Sequence, residues 1–336
     1  NAELPSNVEL ILLHKRKTPF YYGFSDGFFS RAVLRKYPPQ SDFWQQFDVI
    51  HFNQTLSTQF CKLRATQKPL LYAVHHPVSV DRDIAVVESG FLQGILWQLR
   101  YAKLVWNQKK ICSCMPKIMT VSETVKQRLE FDYGCPQDKI AIVPNGVDGD
   151  MFQHIRTEKK YDVLALGSFV HPRKGFGYLV DTYRRITDLG YTVADAGRRT
   201  EGQLKELEHI EGVTVLGMLD QEKLLETISA SRTLISTSLY EGFGLILIEG
   251  LAAGKPVFAF DAGAVKEVLL PIDPSLVVPL RDVPALVERA YRFLTLSAAQ
   301  QHEQSVQYRA AVLERYPLSA SAKKLRALYK AVSKAA

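Results

Sequence analysis

The sequence has no long apolar run, and its opening residues do not have the pattern of a leader. Apolar stretches such as 245–248 are far shorter than the roughly 20 residues that a membrane-spanning helix needs. No basic segment followed by an apolar one precedes residue 20, so we expect no signal peptide in this numbering. The sequence therefore predicts neither a membrane span nor a leader.

Cysteine is also scarce, with four residues in 336. Cys61, Cys112, Cys114 and Cys135 are irregularly spaced in an enzyme-sized chain, which predicts reduced thiols and a cytoplasmic protein. Cys112 and Cys114 are separated by one residue, and no second pair with zinc-site spacing follows. We therefore predict no metal site and no bound cofactor.

Acidic residues are outnumbered, and the formal net charge is +7. A basic balance suits phosphates, a nucleotide, nucleic acid or an anionic membrane. The sequence has no clustered basic strip and no base-stacking motif, so nucleic acid is not an expected partner. Hydrophobic residues make up 46% of the chain, which excludes a disordered protein and permits a large core in two or three domains.

Short apolar runs alternate with longer helical stretches such as 178–189 and 221–229. This alternation predicts an α/β fold with parallel sheets covered on both faces. The predicted strands are too many for one ordinary doubly wound sheet, so we expect two Rossmann-like domains in series. They lie at 8–14, 47–52, 69–75, 117–122, 139–144, 161–167, 191–197, 213–217, 233–237, 256–260 and 276–279.

A cluster of turn-forming residues at 144–150 marks the best boundary between the two domains. We therefore divide the chain into an N-terminal domain at 1–148, a second domain at 149–318 and a C-terminal helix at 319–336. Leu325, Leu328, Tyr329 and Val332 recur at helical spacing in that last segment.

A helix predicted at 95–111 mixes aromatic and basic residues, which is typical of membrane-surface helices. Its apolar residues fall on two roughly opposite stripes, and this favours a helix packed on two sides. The membrane-surface alternative stays open. One stripe holds Ile95, Leu99, Ala102 and Trp106, and the other holds Trp97, Tyr101 and Leu104.

The most informative stretch runs from 234 to 257 and is predicted to be a strand, a loop, a helix, a turn and another strand. Glu241 lies in the loop and Glu249 in the helix. Free backbone N–H groups where this helix begins, together with the helix dipole, favour an anion. A carboxylate instead accepts hydrogen bonds from sugar or ribose hydroxyls. One βα unit thus combines donors for phosphate with acceptors for hydroxyls, which points to a nucleotide-sugar. The N-terminal residues of this unit are Gly242, Phe243, Gly244 and Leu245.

Two more loops follow predicted strands of the same domain. Arg173 and Lys174 lie just before a helix, where their charges could hold a diphosphate and neutralise a departing nucleotide, although a solvated basic turn has the same composition. The loop at 261–267 again has a glycine before a helix. Ligands of α/β sheets bind at such strand ends, so the three loops together predict one binding site.

These residues also resemble a known family. The segments YEGFGL (240–245), EGLAAGKPV (249–257) and DAGAVKEV (261–268) resemble the Glu-x7-Glu region of retaining glycosyltransferases of family 4, also called group 1. PNGVD (144–148) and VSE (121–123) resemble two further segments of that family. The resemblance runs from about residue 47 to the C-terminus. It implies the GT-B architecture, in which two Rossmann-like domains face a cleft and the last helix crosses back to the first domain.

The resemblance implies roles for particular residues. Glu249 would bind ribose hydroxyls and Glu241 the donor sugar, while Lys174 and Arg173 would hold the diphosphate. His75 matches a histidine on the acceptor side that faces the donor sugar, with His76 as its rival. Backbone amides would meet the sugar and phosphates at Phe243, Gly244 and Leu245.

Further residues and two departures follow from the same resemblance. Asn145 and Gly146 lie in the segment where the family's chain enters its second domain and are assigned to a hinge. Gly167 belongs to the donor-binding set, but Ser168 stands where members usually carry a basic residue, so phosphate binding is expected to shift to Arg173. By the same resemblance, residue 8 would begin the family's second strand, so we expect the glycine-rich first loop either to lie outside this numbering or to be absent.

The implied reaction moves a sugar from a UDP- or GDP-sugar to a hydroxyl acceptor with retention, on one face of the sugar and without a metal. The acceptor could be lipid-linked, a glycan or a small molecule. A cytoplasmic location, with peripheral contact to an anionic membrane at its inner face, fits the charge.

Three alternatives to this function stay open: a non-catalytic nucleotide-binding protein, a two-domain epimerase or phosphorylase, and a metal-dependent transferase. The metal-dependent alternative would use the Asp-x-Asp pairs at 81–83 or 148–150.

Overall fold

The structure is a computed structural model that describes residues 7–11, 13, 24–152 and 158–334. Its first part forms a four-stranded parallel sheet in the order β1-β2-β3-β4. The elements are α1 (Phe24–Lys36), β1 (Ile50–Asn53), β2 (Leu70–Val74), α2 (Val78–Val87), α3 (Phe91–Cys114), β3 (Lys117–Thr120), α4 (Glu123–Tyr133) and β4 (Ile140–Ile142).

The second part forms a six-stranded parallel sheet in the order β10-β9-β8-β5-β6-β7. Its elements are β5 (Tyr161–Leu166), α5 (Phe176–Asp188), β6 (Val193–Ala196), α6 (Glu201–Glu208), β7 (Val213–Gly217), α7 (Gln221–Ala230), β8 (Ser231–Ser236), α8 (Leu245–Ala252), β9 (Val257–Phe260), α9 (Val265–Leu269), β10 (Val277–Val278) and α10 (Val283–Leu294). Helices α11 (Ala298–Arg315) and α12 (Leu318–Lys334) follow.

The central strands are buried on both faces because helices cover both sides of each sheet. Every residue of β2 and of β9 is buried, and this explains why their sequences are continuous apolar runs rather than alternating ones. The α/β class and the two parallel sheets predicted from the sequence are therefore confirmed.

The strand order of the second sheet places a ligand site. The chain moves outward from β5 through β6 to β7, then returns to the other side of β5 with β8 and continues outward. The loops after β5 and β8 therefore diverge and leave a crevice at the carboxyl ends of these strands. The predicted diphosphate loop follows β5, and the loop that carries Glu241 follows β8.

Two chain segments cross between the sheets side by side. Val147 pairs with Pro317 in a parallel bridge, and the Leu318 N–H donates to the Val147 carbonyl at 3.0 Å. Beyond this crossing, α12 packs Leu325 and Leu328 against the first sheet, so the last helix returns to the N-terminal part as predicted. The bounds at 148 and 318 stay a prediction.

The structure corrects three expectations. First, the predicted strand at 8–14 is not formed at 8–11 and 13, the part of it that the structure describes. Second, the prediction of four reduced cysteines is wrong, because Cys61 and Cys114 form a disulfide. Packing of residues 58–66 against α3 brings these two cysteines together across 53 residues, so their spacing along the chain gave no signal. The cysteine count therefore no longer argues for a reducing compartment.

Third, the prediction that α3 packs on two sides is wrong. Tyr101 and Leu104 are buried against α2, but Ile95, Leu99 and Trp106 on the other stripe are exposed. The two stripes predicted two covered faces, whereas the described residues cover only one of them. No helix in the described ranges is both long enough and apolar enough to cross a membrane.

Candidate active site

A cavity of about 480 Å³ lies between the two sheets, at the carboxyl ends of their strands. It brings together every predicted site residue except Ser168 and Gly146. The predicted residues that line it are His75, Asn145, Gly167, Arg173, Lys174, Glu241, Gly242, Phe243, Gly244, Leu245 and Glu249, and the rival His76 lines it too. Residues from both sheets therefore form its walls.

Two glycines allow the chain to approach closely before α8. A Cβ at Gly242 would lie 2.0 Å from the backbone oxygen of His75, so only glycine lets the two sheets meet there. Gly244 has φ = 86°, a left-handed conformation that turns the chain into the helix. The first residues of α8, Leu245 and Ile246, line the cavity, so the free N–H groups of a helix start are available to an anion there.

The buried Glu241 forms an ion pair with the partly buried Lys174 within the cavity, with Oε1 and Nζ 2.6 Å apart. The Arg173 guanidinium lies 3.8 Å from the other carboxylate oxygen. Burial by itself would raise the pKa of Glu241, but the charges of Lys174 and Arg173 outweigh it and lower that pKa to about 2. Glu241 is thus held ionised, and its charge fixes the Lys174 ammonium in the site.

Arg173 also reaches across the cleft. Its Nε lies 2.8 Å from an Asp81 carboxylate oxygen, and Asp81 lies in the first turn of α2, a helix of the N-terminal domain. The other Asp81 oxygen lies 3.0 Å from His76 Nε2. Burial opposes ionisation of Asp81, but the His76 hydrogen bond and the charges of His76 and Arg173 lower its pKa to about 2. This carboxylate therefore links a histidine of one domain to an arginine of the other.

The adjacent histidines are positioned by residues at the end of β1. Asn53 Oδ1 lies 2.6 Å from His75 Nε2, and Gln54 Oε1 accepts from the backbone N–H of His75 at 2.6 Å. Burial lowers the pKa of His75, and the nearby His76 lowers it further. His75 is consequently biased towards the neutral imidazole.

Glu249 projects into the cavity from α8. Among the described residues, none forms an ion pair with its carboxylate, in contrast to Glu241. Burial raises its pKa. A partly buried carboxylate without a cation can accept hydrogen bonds from a ligand's hydroxyl groups without first breaking a salt bridge.

Two predicted residues lie apart from the cavity. Ser168 is exposed just beyond β5 and does not line the cavity. The carbonyl of its neighbour Gly167 accepts a hydrogen bond from Arg199 at 2.6 Å. Gly146 packs in the crossing segment, where a Cβ would lie 2.7 Å from the Leu318 Cα. Its neighbour Asn145 reaches the cavity, so the predicted hinge pair is divided between the two locations.

The contacts that join the two domains around the site carry no signal in the sequence. The sequence suggests for Asp81 only a place in an Asp-x-Asp metal-binding pair. Ser122 donates to the Gly242 carbonyl at 2.6 Å, and Tyr101 lies 2.6 Å from His171 Nε2. These partners are separated by at least 70 positions along the chain, so no local pattern could have paired them.

Two parallel α/β sheets that face a cleft define the GT-B class of glycosyltransferase folds. Sucrose-phosphate synthase from Thermosynechococcus elongatus has the same fold, with a TM-score of 0.74 at 20% identity over 98% of this chain and 87% of that one. HepE from Anabaena, solved in complex with UDP-glucose, aligns with a TM-score of 0.69 at 15% identity, over 90% of this chain and 82% of its own.

The family follows from sequence comparison. Residues 2–150 match the model described as Glycosyltransferase Family 4, and residues 160–295 match the one described as Glycosyl transferases group 1. The chain therefore belongs to the family 4 glycosyltransferases of GT-B fold, as the motif at 240–268 implied.

Curated relatives include several mannosyltransferases. The MMP alpha-(1->4)-mannosyltransferase of Mycolicibacterium hassiacum is 30% identical over 231 residues, 67% of this chain and 56% of that protein. The phosphatidyl-myo-inositol mannosyltransferase of Mycobacterium leprae is 25% identical over 299 residues, 85% of this chain and 74% of its own length. The chain thus spans little more than half of the first relative.

Proposed function

We propose that this protein transfers a mannosyl group from a nucleoside-diphosphate donor to a hydroxyl acceptor, with retention of anomeric configuration. The observation that carries the proposal is the Glu241–Lys174 pair beside Arg173, under the first turn of α8. It combines cations for a diphosphate with a carboxylate for a sugar. Mannose is favoured because relatives that are 25–30% identical are named mannosyltransferases.

We assign each part of the donor to a group of residues along the cavity. Glu249 accepts hydrogen bonds from ribose hydroxyls, and the diphosphate lies between the α8 N–H groups and the cations Lys174 and Arg173. Glu241 contacts the sugar while it holds Lys174 in place. Uracil and guanine remain equal candidates for the base.

In the proposed reaction, the bond between the anomeric carbon and the phosphate oxygen breaks, and the acceptor oxygen bonds to the same face of the sugar. The acceptor proton passes to the departing phosphate oxygen. Lys174 and Arg173 stabilise the charge that develops on the diphosphate. The chain's own contribution is therefore positioning and electrostatic stabilisation, and no divalent ion is required in this scheme.

His75 and His76 stand on the acceptor side of the cavity. We assign the acceptor hydroxyl to this wall, with neutral His75 facing the donor sugar. A glycan, a lipid-linked sugar or a small molecule supplies that hydroxyl in glycoconjugate synthesis. Contact between the two sheets at Gly242 closes the site and limits hydrolysis of the donor.

A transfer assay tests the proposal. The protein is incubated with GDP-mannose, UDP-mannose or UDP-glucose and a panel of hydroxyl acceptors, with magnesium or with a chelator. We expect release of nucleoside diphosphate that depends on an acceptor, survives chelation and yields an α-linked mannoside by NMR. A β-linked product would contradict retention. Donor binding with no release under any acceptor would instead support the non-catalytic alternative.

A further inference from the structure

We propose that the exposed face of α3 docks this protein on an anionic lipid membrane. Six large apolar side chains on this helix are between 43% and 83% exposed, although isolated exposed apolar residues are the usual case on a protein surface. They are Phe91, Leu92, Ile95, Leu96, Leu99 and Trp106, and we call them the α3 face.

The α3 face is one continuous side of a well-packed helix. Leu92, Ile95 and Leu99 recur at intervals of three and four, which places them in one row. On the opposite side of the helix, Tyr101 and Leu104 are buried against Val78 of α2. The exposure therefore does not come from a helix that is detached from its domain.

The charge of α3 indicates which kind of partner binds the α3 face. Helix α3 contains four basic residues and no acidic residue: Arg100, Lys103, Lys109 and Lys110 are its only charged side chains. A second copy docked through α3 would bring one basic helix against another, which is unfavourable. A bilayer with anionic headgroups accepts the apolar side chains and attracts the basic ones.

The position of α3 connects this surface to the cleft. Tyr101, on the buried side, lies 2.6 Å from His171, and His171 begins the turn that carries Arg173 and Lys174. One helix diameter, about 10–12 Å, therefore separates the α3 face from that wall of the site. This inference about the acceptor rests on the proposed transfer: a membrane-bound protein with its cleft this close to the bilayer would take a lipid-linked acceptor. The membrane contact itself does not depend on that activity.

Vesicle flotation tests the proposal without donor or acceptor. The full chain is mixed with vesicles of phosphatidylcholine alone, or of equal parts phosphatidylcholine and phosphatidylglycerol. We expect the protein to float with the anionic vesicles, to remain behind with the neutral ones, and to be released progressively by salt. Absence of binding to anionic vesicles at low salt would overturn the proposal.

Substitutions test whether the α3 face is the surface that binds the membrane. Replacing Leu96 and Leu99 by Gln is expected to lower partitioning by about tenfold or more, because both side chains are exposed and would enter the lipid. The matched control replaces Leu189 and Val306, two exposed apolar residues of the second domain, by Gln and leaves partitioning unchanged. Equal losses in both variants would contradict the assignment to α3.

Charge and self-association are tested separately. Lys109→Glu with Lys110→Glu should also lower binding to anionic vesicles by about tenfold. All variants should unfold like the parent, since these side chains are exposed. Light scattering tests for self-association. If the parent is dimeric, does not bind vesicles and becomes monomeric in the Leu96→Gln, Leu99→Gln variant, the α3 face is a dimer interface and the membrane proposal is wrong.

Discussion

Asp81 and Arg173 form an ion pair across the cleft, with Oδ1 and Nε 2.8 Å apart. Arg173 is one of the two cations that we propose for the diphosphate, and Asp81 belongs to the N-terminal domain. The contact thus couples the relative position of the two domains to the position of the Arg173 side chain.

Asp81→Asn should destabilise the protein near neutral pH by on the order of 2 kcal/mol. The pKa of Asp81 is lowered to about 2, so its ionised form stabilises the fold above the ordinary carboxyl range near pH 4. That contribution is lost as the pH falls towards 2. Urea unfolding should therefore separate parent and variant near pH 7 and bring them together in acid. Asp83→Asn, at a more exposed carboxylate, is the control; a difference that does not change with pH would contradict the account.

Glu249→Ala should weaken binding of the nucleoside diphosphate by about 2–3 kcal/mol, since two hydrogen bonds from ribose to a charged group are lost. Titration calorimetry measures this effect directly. Glu222→Ala, at an exposed glutamate of α7, should bind like the parent. Unchanged affinity in Glu249→Ala would remove this residue from the donor site.

The pH dependence of nucleotide binding should also report on Glu249. Burial raises its pKa above the usual 4.5, and only the ionised form accepts hydrogen bonds from both hydroxyls. Affinity should therefore begin to fall at a pH above that value as the solution is acidified. Glu249→Gln should bind more weakly and show a flatter profile, and an identical profile in parent and variant would contradict this role.

Glu241→Gln should lower turnover by about a hundredfold, at least as much as it weakens donor binding, because the sugar contact and the anchor of Lys174 are both lost. In a double-mutant cycle with Lys174→Met, the losses of turnover caused by the two substitutions should be strongly non-additive. The exposed pair Asp181–Arg185 is the control cycle and should leave turnover unchanged. Additive losses for Glu241 and Lys174 would mean that the pair does not act as a unit.

Gly242→Ala should prevent the two domains from meeting at the cleft. Its Cβ would lie 2.0 Å from the backbone oxygen of His75, which cannot move without shifting β2. We expect a larger radius of gyration by small-angle scattering and a loss of turnover of about a hundredfold or more. Gly177→Ala, with nothing within 4 Å of its Cβ, should preserve both.

Local sequence pattern was sufficient to predict ten of the eleven expected strands and one wall of the candidate site. The segment 234–257 predicted a strand, a loop with Glu241 and a helix with Glu249, and the structure has β8 and α8 there. These elements come from contiguous residues whose burial and turn chemistry are visible in the sequence.

Contacts between distant segments could not be predicted in the same way. The Cys61–Cys114 disulfide and the Asp81–Arg173 pair join residues that meet only after the sheets have formed. The exposure of Ile95 and Leu99 was likewise misjudged, since periodicity identifies apolar faces but not what covers them.

The most direct measurement is a calorimetric titration of GDP, UDP and their common sugars into the parent protein and Glu249→Ala, with magnesium or with a chelator. The account predicts that one of the two nucleotides binds tightly without magnesium, and that its affinity falls on the order of a hundredfold in the variant. No binding by either nucleotide, or equal binding by both proteins, would contradict the donor site described above.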